Sequence, residues 1–431
     1  MKRALFVLAL GLTACSEQPV QPSIEPRPQL VPTTGGLYCT EPDARLSSGA
    51  LYKVCVNPDK WNRDLVVFIP GYHDPASAPK LPDDFSETPV SLLFTELGYG
   101  FASTSFRGTG LIQPEWISGD LLELVATAKT LLTNTTGRTA RYVYQTGGSQ
   151  GGLGTVQAVE RYPNVFSGGL AGCGPIGDYR RQIAYVGDFR AVFDQFFEDA
   201  IPEWPVWRQD LSAGNPGYVD PDSWHTAEQA AGAALDDASN AGRIGQVLTV
   251  TRAPIDAADP ATIKGTTLGI LWYSFRGTND GIAKLGGMPF GNLDRVYSGS
   301  LDDAGLNAGV ERFQVTADPA RVATLQTSAR LQRPLVTIHN TGDPIVPIWH
   351  QSLYRSRLSF FGKLLHTPIT IDRYGHCNFT DAETLAAFAV LVLKVSGYNL
   401  LVSRSVLPRA EARAEFLRLA RLHGASPAVT P

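Results

Sequence analysis

Ser149 stands at the centre of Gly147-Gly148-Ser149-Gln150-Gly151, a G-x-S-x-G arrangement. In a chain with 42 glycines the pattern is weak alone, and its setting decides what it means. A strand-like run, Arg141 to Thr146, precedes it, and a helical pattern, Gln150 to Tyr162, follows. A serine on a tight strand-to-helix turn sits in strained backbone with its hydroxyl presented outward. Glycines on either side let strand and helix approach closely. Serine alone is a poor nucleophile. It needs a base within hydrogen-bond reach and a third group that orients the base.

In this architecture the chain order is serine, acid, histidine. Of the seven histidines, His339, His350, His366, His376 and His423 fall late enough. His376, in a Tyr374-Gly375-His376 turn after the last strand-like run, is the candidate base. His339 sits at a strand end and reads as a structural histidine. His350 and His366 flank a helix. Asp343, in Asn340-Thr341-Gly342-Asp343-Pro344, is the candidate acid, on a loop restricted by its proline. Asp381 competes, but it lies in the first turn of a helix, where a carboxylate complements the dipole. An oxyanion needs two preorganised N–H donors. The amides of Gln150 and of Tyr72, in Gly71-Tyr72-His73-Asp74, are the candidates, and His73 and Asp74 are candidate pocket residues. No metal and no cofactor are expected, since no cysteine pair has C-x-x-C spacing.

The elements that must carry these residues alternate. Leu65 to Pro70 is a continuous apolar run, as expected of a strand buried on both faces of a parallel sheet. Leu51 to Val56, Phe101 to Ser105, Gly168 to Ala171, Leu335 to Asn340 and Ile369 to Asp372 also read as strands. Helical patterns cover Asp120 to Leu132, Trp349 to Phe361 and Ala382 to Val395, the last opened by Thr380 with Glu383 three residues on. This alternation predicts an α/β fold, a doubly wound and mostly parallel sheet. From residue 175 to 333 the rhythm stops. That stretch is too long for a loop and is expected to be a largely helical cap, with pieces such as Thr226 to Ala241. Its Trp204, Trp207, Trp224, Trp272 and Tyr273 either line a pocket or pack cap against sheet. The core is then residues 35–174 and 334–431, ending in a basic amphipathic helix from Pro408 to His423.

The chain has 431 residues, 43% hydrophobic and 18% charged, which excludes a disordered chain. A net charge of −4 supplies no basic field, which argues against nucleic-acid binding. Lys2 and Arg3 precede an apolar run from Ala4 to Leu12, too short to span a bilayer, and Leu12-Thr13-Ala14-Cys15 resembles a bacterial lipobox. Residues 1–14 are expected to be a signal peptide and Cys15 a lipidation site. Residues 15–34, with five prolines from Pro19 to Pro32, are expected to be an extended tether. The protein would then face outside the cytoplasm in a bacterial envelope, held to the membrane by lipid.

The chain resembles bacterial secreted α/β-hydrolases. The resemblance is carried by the Ser149 elbow, Glu160-Arg161-Tyr162-Pro163, Gly172-Cys173-Gly174-Pro175, Thr341 to Pro347 and Gly375-His376-Cys377, over roughly residues 50–175 and 333–398. It implies a serine hydrolase acting on a small ester through an acyl-enzyme, with a prolyl-oligopeptidase-like peptidase on short peptides as the alternative. A non-catalytic binding lipoprotein on the same fold is the third reading. Feruloyl-esterase-like relatives often have a cysteine directly before the serine, bridged to one after the histidine, and here Gly148 takes that place. By analogy the four cysteines beyond Cys15 are expected to pair as Cys39–Cys55 and Cys173–Cys377. Four cysteines allow three pairings, and four free thiols are the alternative.

Overall fold

The computed structural model describes residues 29–82, 89–198, 200, 221–397, 414 and 418. The leader with Cys15, Trp204, Trp207 and almost all of the Pro408 to His423 tail lie outside them. Among the described residues no helix is long and apolar enough to cross a membrane.

Nine strands form one sheet among these residues: β1 (Val31–Pro32), β2 (Tyr38–Cys39), β3 (Tyr52–Val56), β4 (Leu65–Ile69), β5 (Gly100–Thr104), β6 (Val143–Gly148), β7 (Gly168–Gly172), β8 (Leu335–Gly342) and β9 (His366–Tyr374). Their order is β1-β2-β3-β5-β4-β6-β7-β8-β9. The pairs β1–β2, β2–β3 and β3–β5 are antiparallel, and every later pair is parallel. This is the α/β-hydrolase fold.

Strand β4 shows why the sheet must be covered twice. Leu65, Val67 and Ile69 point into one apolar cluster, while Val66 and Phe68 point into the other. Side chains alternate across a strand, so an unbroken apolar run needs a core on each face. In chain order the first helices are α1 (Val90–Thr95), α2 (Leu122–Thr136) and α3 (Gln150–Arg161). Between β7 and β8 come α4 (Tyr179–Phe196), α5 (Pro221–Asp236), α6 (Ala241–Thr251), α7 (Ala261–Leu285), α8 (Asp303–Gly309) and α9 (Pro319–Thr324). The last are α10 (Trp349–Arg357), α11 (Phe360–Leu365) and α12 (Asp381–Ser396). Helices α2, α3 and α10 cover the Leu65 face, and α1 and α12 the Val66 face. The Thr380–Glu383 capping box that opens α12 is present in both directions.

The helices between β7 and β8 carry their own core. Phe189, Val192 and Phe193 of α4 meet Trp224 of α5, Val247 of α6 and Ile270, Leu271 and Phe275 of α7. Trp224 is therefore a packing residue.

Three expectations need correction. The tether does not run to residue 34: Leu30 is buried, its amide donates to the Thr135 hydroxyl at 3.2 Å, and Val31–Pro32 joins the sheet. Pro32 is tolerated there because β1 is the outermost strand, where a missing N–H removes no ladder bond. The Trp349 to Phe361 pattern is two helices, broken at Leu358 and restarted by Ser359, whose hydroxyl accepts from Gly362 N–H at 3.1 Å. The Thr226 to Ala241 piece starts earlier and stops at Asp236, because the Asp237 carboxylate caps a separate turn through Ser239 N–H.

Candidate active site

Ser149 lies between the end of β6 and the start of α3 with φ 57° and ψ −128°, a region L-residues rarely adopt. Its amide donates to the Gly172 carbonyl at 2.9 Å, which ties the turn to β7. The flanking glycines are there for close approach. A Cβ on Gly147 would lie 2.6 Å from the Ile69 carbonyl oxygen, and one on Gly151 only 2.3 Å from the same atom.

Asp343 directly follows β8 and is completely buried. Its Oδ1 accepts from the amides of Ile345 and Val346, each at 2.9 Å. The His376 Nδ1 lies 2.8 Å from Asp343 Oδ2 and 3.0 Å from Oδ1. On the other edge of the same ring, Nε2 lies 2.9 Å from Ser149 Oγ. The serine, histidine and aspartate expected from sequence thus meet in one line. His339 also reaches this carboxylate: its Nε2 donates to the Val346 carbonyl at 2.6 Å and lies 3.5 Å from Asp343 Oδ2. Burial opposes ionisation of Asp343, but hydrogen bonds from His339 and His376 outweigh it and hold the carboxyl at about 2.

The His376 loop is fastened on three sides. Asn378 N–H donates to Asn340 Oδ1, and Asn340 Nδ2 donates back to the Asn378 carbonyl, both at 2.9 Å. The Tyr374 and Thr266 hydroxyls share a hydrogen bond at 2.6 Å, joining the loop to α7. Cys377 is bonded to Cys173 at the end of β7. The second disulfide, Cys39–Cys55, joins register partners on β2 and β3. A Cβ on Gly148 would stand 3.6 Å from Cys377 Sγ and 3.7 Å from Cys173 Sγ. The bridge therefore passes directly beside Gly148.

The Gly71 backbone lies against the serine, since a Cβ there would be 3.6 Å from Ser149 Cβ. Gln150 is the first residue of α3, where a helix makes no use of the amide proton. Its side chain is held by a core loop: Ile112 N–H donates to Oε1 at 3.2 Å and Nε2 donates to the Gly110 carbonyl at 2.8 Å. Gly110 N–H in turn donates to the His73 carbonyl at 2.9 Å. The same loop is gripped by α7. Leu111 N–H donates to Asp280 Oδ2 at 2.5 Å, Lys284 donates to the Thr109 carbonyl, and Lys284 pairs with Asp280 Oδ1 at 2.8 Å. Sequence reasoning missed Asp280, because an acid on a helix 169 residues from its partner leaves no spacing signal.

A cavity opens on Ser149 and Gln150. Its walls include Leu111, Ile183, Val186, Tyr273, Leu285 and Ile345. No lining residue carries a charge, among the described residues. His73 and Asp74 stand outside the lining, and Asp74 instead faces Arg276 at 3.6 Å. Tyr72 does line it, edge-on to Trp272 with ring centres 5.9 Å apart. His350 is structural. Its Nδ1 accepts from Gly177 N–H at 3.1 Å, its Nε2 donates to Gln182 at 2.9 Å, and burial pushes its pKa well below the usual value.

No family model and no curated protein matches the chain. Solved structures do. Feruloyl esterase B from Aspergillus oryzae aligns over 82% of this chain and 80% of its own, at 15% identity and a TM-score of 0.47. The 2-hydroxy-6-oxo-6-phenylhexa-2,4-dienoate hydrolase of Rhodococcus sp. strain RHA1 aligns over 84% of this chain and 100% of its own, at 15% identity and a TM-score of 0.37. The Pyrococcus horikoshii acylaminoacyl peptidase aligns over 86% of this chain and 43% of its own, at 10% identity and a TM-score of 0.41. At identities this low, the chemistry of this chain rests on its own residues.

Proposed function

We propose that the protein is an exported serine hydrolase that cleaves carboxylic esters. Ser149 Oγ attacks the carbonyl carbon while His376 Nε2 takes its proton. Asp343 holds the imidazole with Nδ1 protonated and stabilises the imidazolium. The amides of Gln150 and Tyr72 receive the oxyanion. His376 then gives its proton to the leaving alcohol, and a water, activated by the same imidazole, clears the acyl-enzyme. The observation that carries this reading is the Ser149–His376–Asp343 line, at 2.9 and 2.8 Å, opening on an uncharged cavity. An exopeptidase must satisfy a charged chain terminus, and among the described residues the lining of this cavity offers it no counter-charge, which favours an uncharged ester over an exopeptidase substrate. Two disulfides support an oxidising compartment, reached through a signal that ends in lipidation of Cys15.

The test is labelling with a fluorophosphonate, next to assays on ester and aminoacyl substrates. Folded wild type should label and Ser149→Ala should not, with esters turned over faster than aminoacyl amides. Wild type that stays unlabelled sinks the reading.

A further inference from the structure

We propose that Cys173, Cys377 and His376 form a latent site for a thiophilic divalent cation of the zinc class, closed by the disulfide and opened by its reduction. The Sγ atoms of both cysteines and a ring nitrogen of His376 all lie within 4.8 Å of one another. Cys377 Sγ is 3.6 Å from His376 Nε2. Ligands around a tetrahedral zinc are spaced about 3.5–3.8 Å apart, given metal–sulfur and metal–nitrogen bonds of about 2.3 and 2.0 Å. Of the two sulfur–nitrogen pairs, the one between Cys377 and His376 therefore already has the spacing of a metal site.

Three further features fit. The cysteine backbones are held independently of their bridge: Cys173 N–H donates to the Ile338 carbonyl at 2.8 Å, and the Cys377 carbonyl accepts from Phe379 N–H at 2.9 Å. Reduction therefore leaves both thiols facing the histidine. A metal-bound histidine characteristically donates its other ring N–H to a carboxylate, and His376 Nδ1 already does so to Asp343 at 2.8 Å. Ser149 Oγ, 2.9 Å from Nε2, is near enough to become a fourth ligand once its side chain turns off the lone-pair axis that the metal would take. The two cysteines are 204 residues apart, so no short motif announces the site.

The chemistry balances in two steps. A dithiol gives two hydrogens to the two sulfurs and leaves as its own cyclic disulfide; a phosphine does the same with water and leaves as phosphine oxide. The cation then displaces the two thiol protons and binds two thiolates and the Nε2 lone pair. That lone pair is the one that would take the serine proton, so the reduced, metal-bound protein is silent. A disulfide sulfur carries no charge and is a poor ligand, so the oxidised protein has no such site.

Cobalt(II) is the probe for binding. Phosphine-reduced protein, desalted without oxygen, should take up one cobalt with a thiolate-to-cobalt charge-transfer band and release protons. The band should vanish in Cys173→Ala/Cys377→Ala and persist in Cys39→Ala/Cys55→Ala. Stoichiometric zinc should lower ester turnover of the reduced protein roughly tenfold or more, reversibly with a chelator, and leave the oxidised protein unchanged. Circular dichroism of the reduced protein should match the oxidised form. No charge-transfer band, a band that survives the first double variant, or loss of fold on reduction overturns the site. The inhibition arm rests on the serine-hydrolase reading and the cobalt arm does not. Cobalt uptake without fluorophosphonate labelling would fail that reading alone, and labelling without uptake would fail the site alone.

Discussion

Asp280, on helix α7, accepts a hydrogen bond from the amide of Leu111, on the loop after β5, at 2.5 Å. Burial raises its pKa, with Lys284 and the Leu111 amide pulling the other way. The loop it grips accepts from the Gln150 side chain and donates to the His73 carbonyl. A misplacement of an ångström at an oxyanion donor costs orders of magnitude in rate. Asp280→Asn, which drops the charge pairing with Lys284, is expected to lower kcat roughly tenfold or more while KM moves less. Steady-state kinetics on one ester checks this, and a boronate that mimics the oxyanion should lose affinity in parallel with kcat.

Asp343→Asn should lower kcat by about 10⁴-fold with the fold intact, because the imidazole loses the partner that fixes its tautomer. The same carboxylate carries a pH signature. Its folded pKa of about 2 lies below the ordinary 3.8, so its stabilisation is present above about pH 4 and is lost as pH falls through 2. The difference of about 2 units amounts to about 2–3 kcal/mol. Urea unfolding of wild type and Asp343→Asn should show their stability gap narrowing by that amount between pH 5 and pH 2.

Removing the Cys39–Cys55 bridge as Cys39→Ser/Cys55→Ser should reduce stability without touching turnover. The bridge closes a loop with a sequence separation of 16, worth about 3 kcal/mol. A lower Tm with kcat unchanged is the expected pair of results. A large fall in kcat would mean that the β2–β3 edge reaches the site.

The uncharged cavity can be tested by charging it. Ile183→Lys places an ammonium on its wall. Esters with apolar acyl groups should lose roughly 10- to 100-fold in kcat/KM, through the desolvation of the new charge. Esters with an anionic acyl group should lose less or gain. A uniform loss across both sets would show that Ile183 does not face the substrate.

Much of this site was legible before any coordinates. A five-residue apolar run such as Leu65–Ile69 has only one home, a strand covered on both faces. The glycines around Ser149 and the Thr380–Glu383 cap are local signals, written within three or four residues. The details that escaped are of another kind. Leu30 finds its pocket only because Thr135, 105 residues later, offers a hydroxyl at the same spot. The Gln150 side chain, Asp280 and Leu111 form one network from three distant segments. Nothing near His339 in the sequence shows that its imidazole faces the Asp343 carboxylate from a second side. Propensity and periodicity describe neighbours along the chain, and these contacts join strangers.

Helix α7 has 25 residues and so is about 37 Å long. Near its start Thr266 holds Tyr374, two residues from His376. Near its end Asp280 and Lys284 hold the loop over Gln150. One beam therefore rests on both abutments of the reaction centre. A helix pinned at two such points does not swing away without undoing the His376 loop or the loop at Gln150. If the protein is the esterase proposed above, its turnover should depend little on the solvent viscosity that slows large hinged motions.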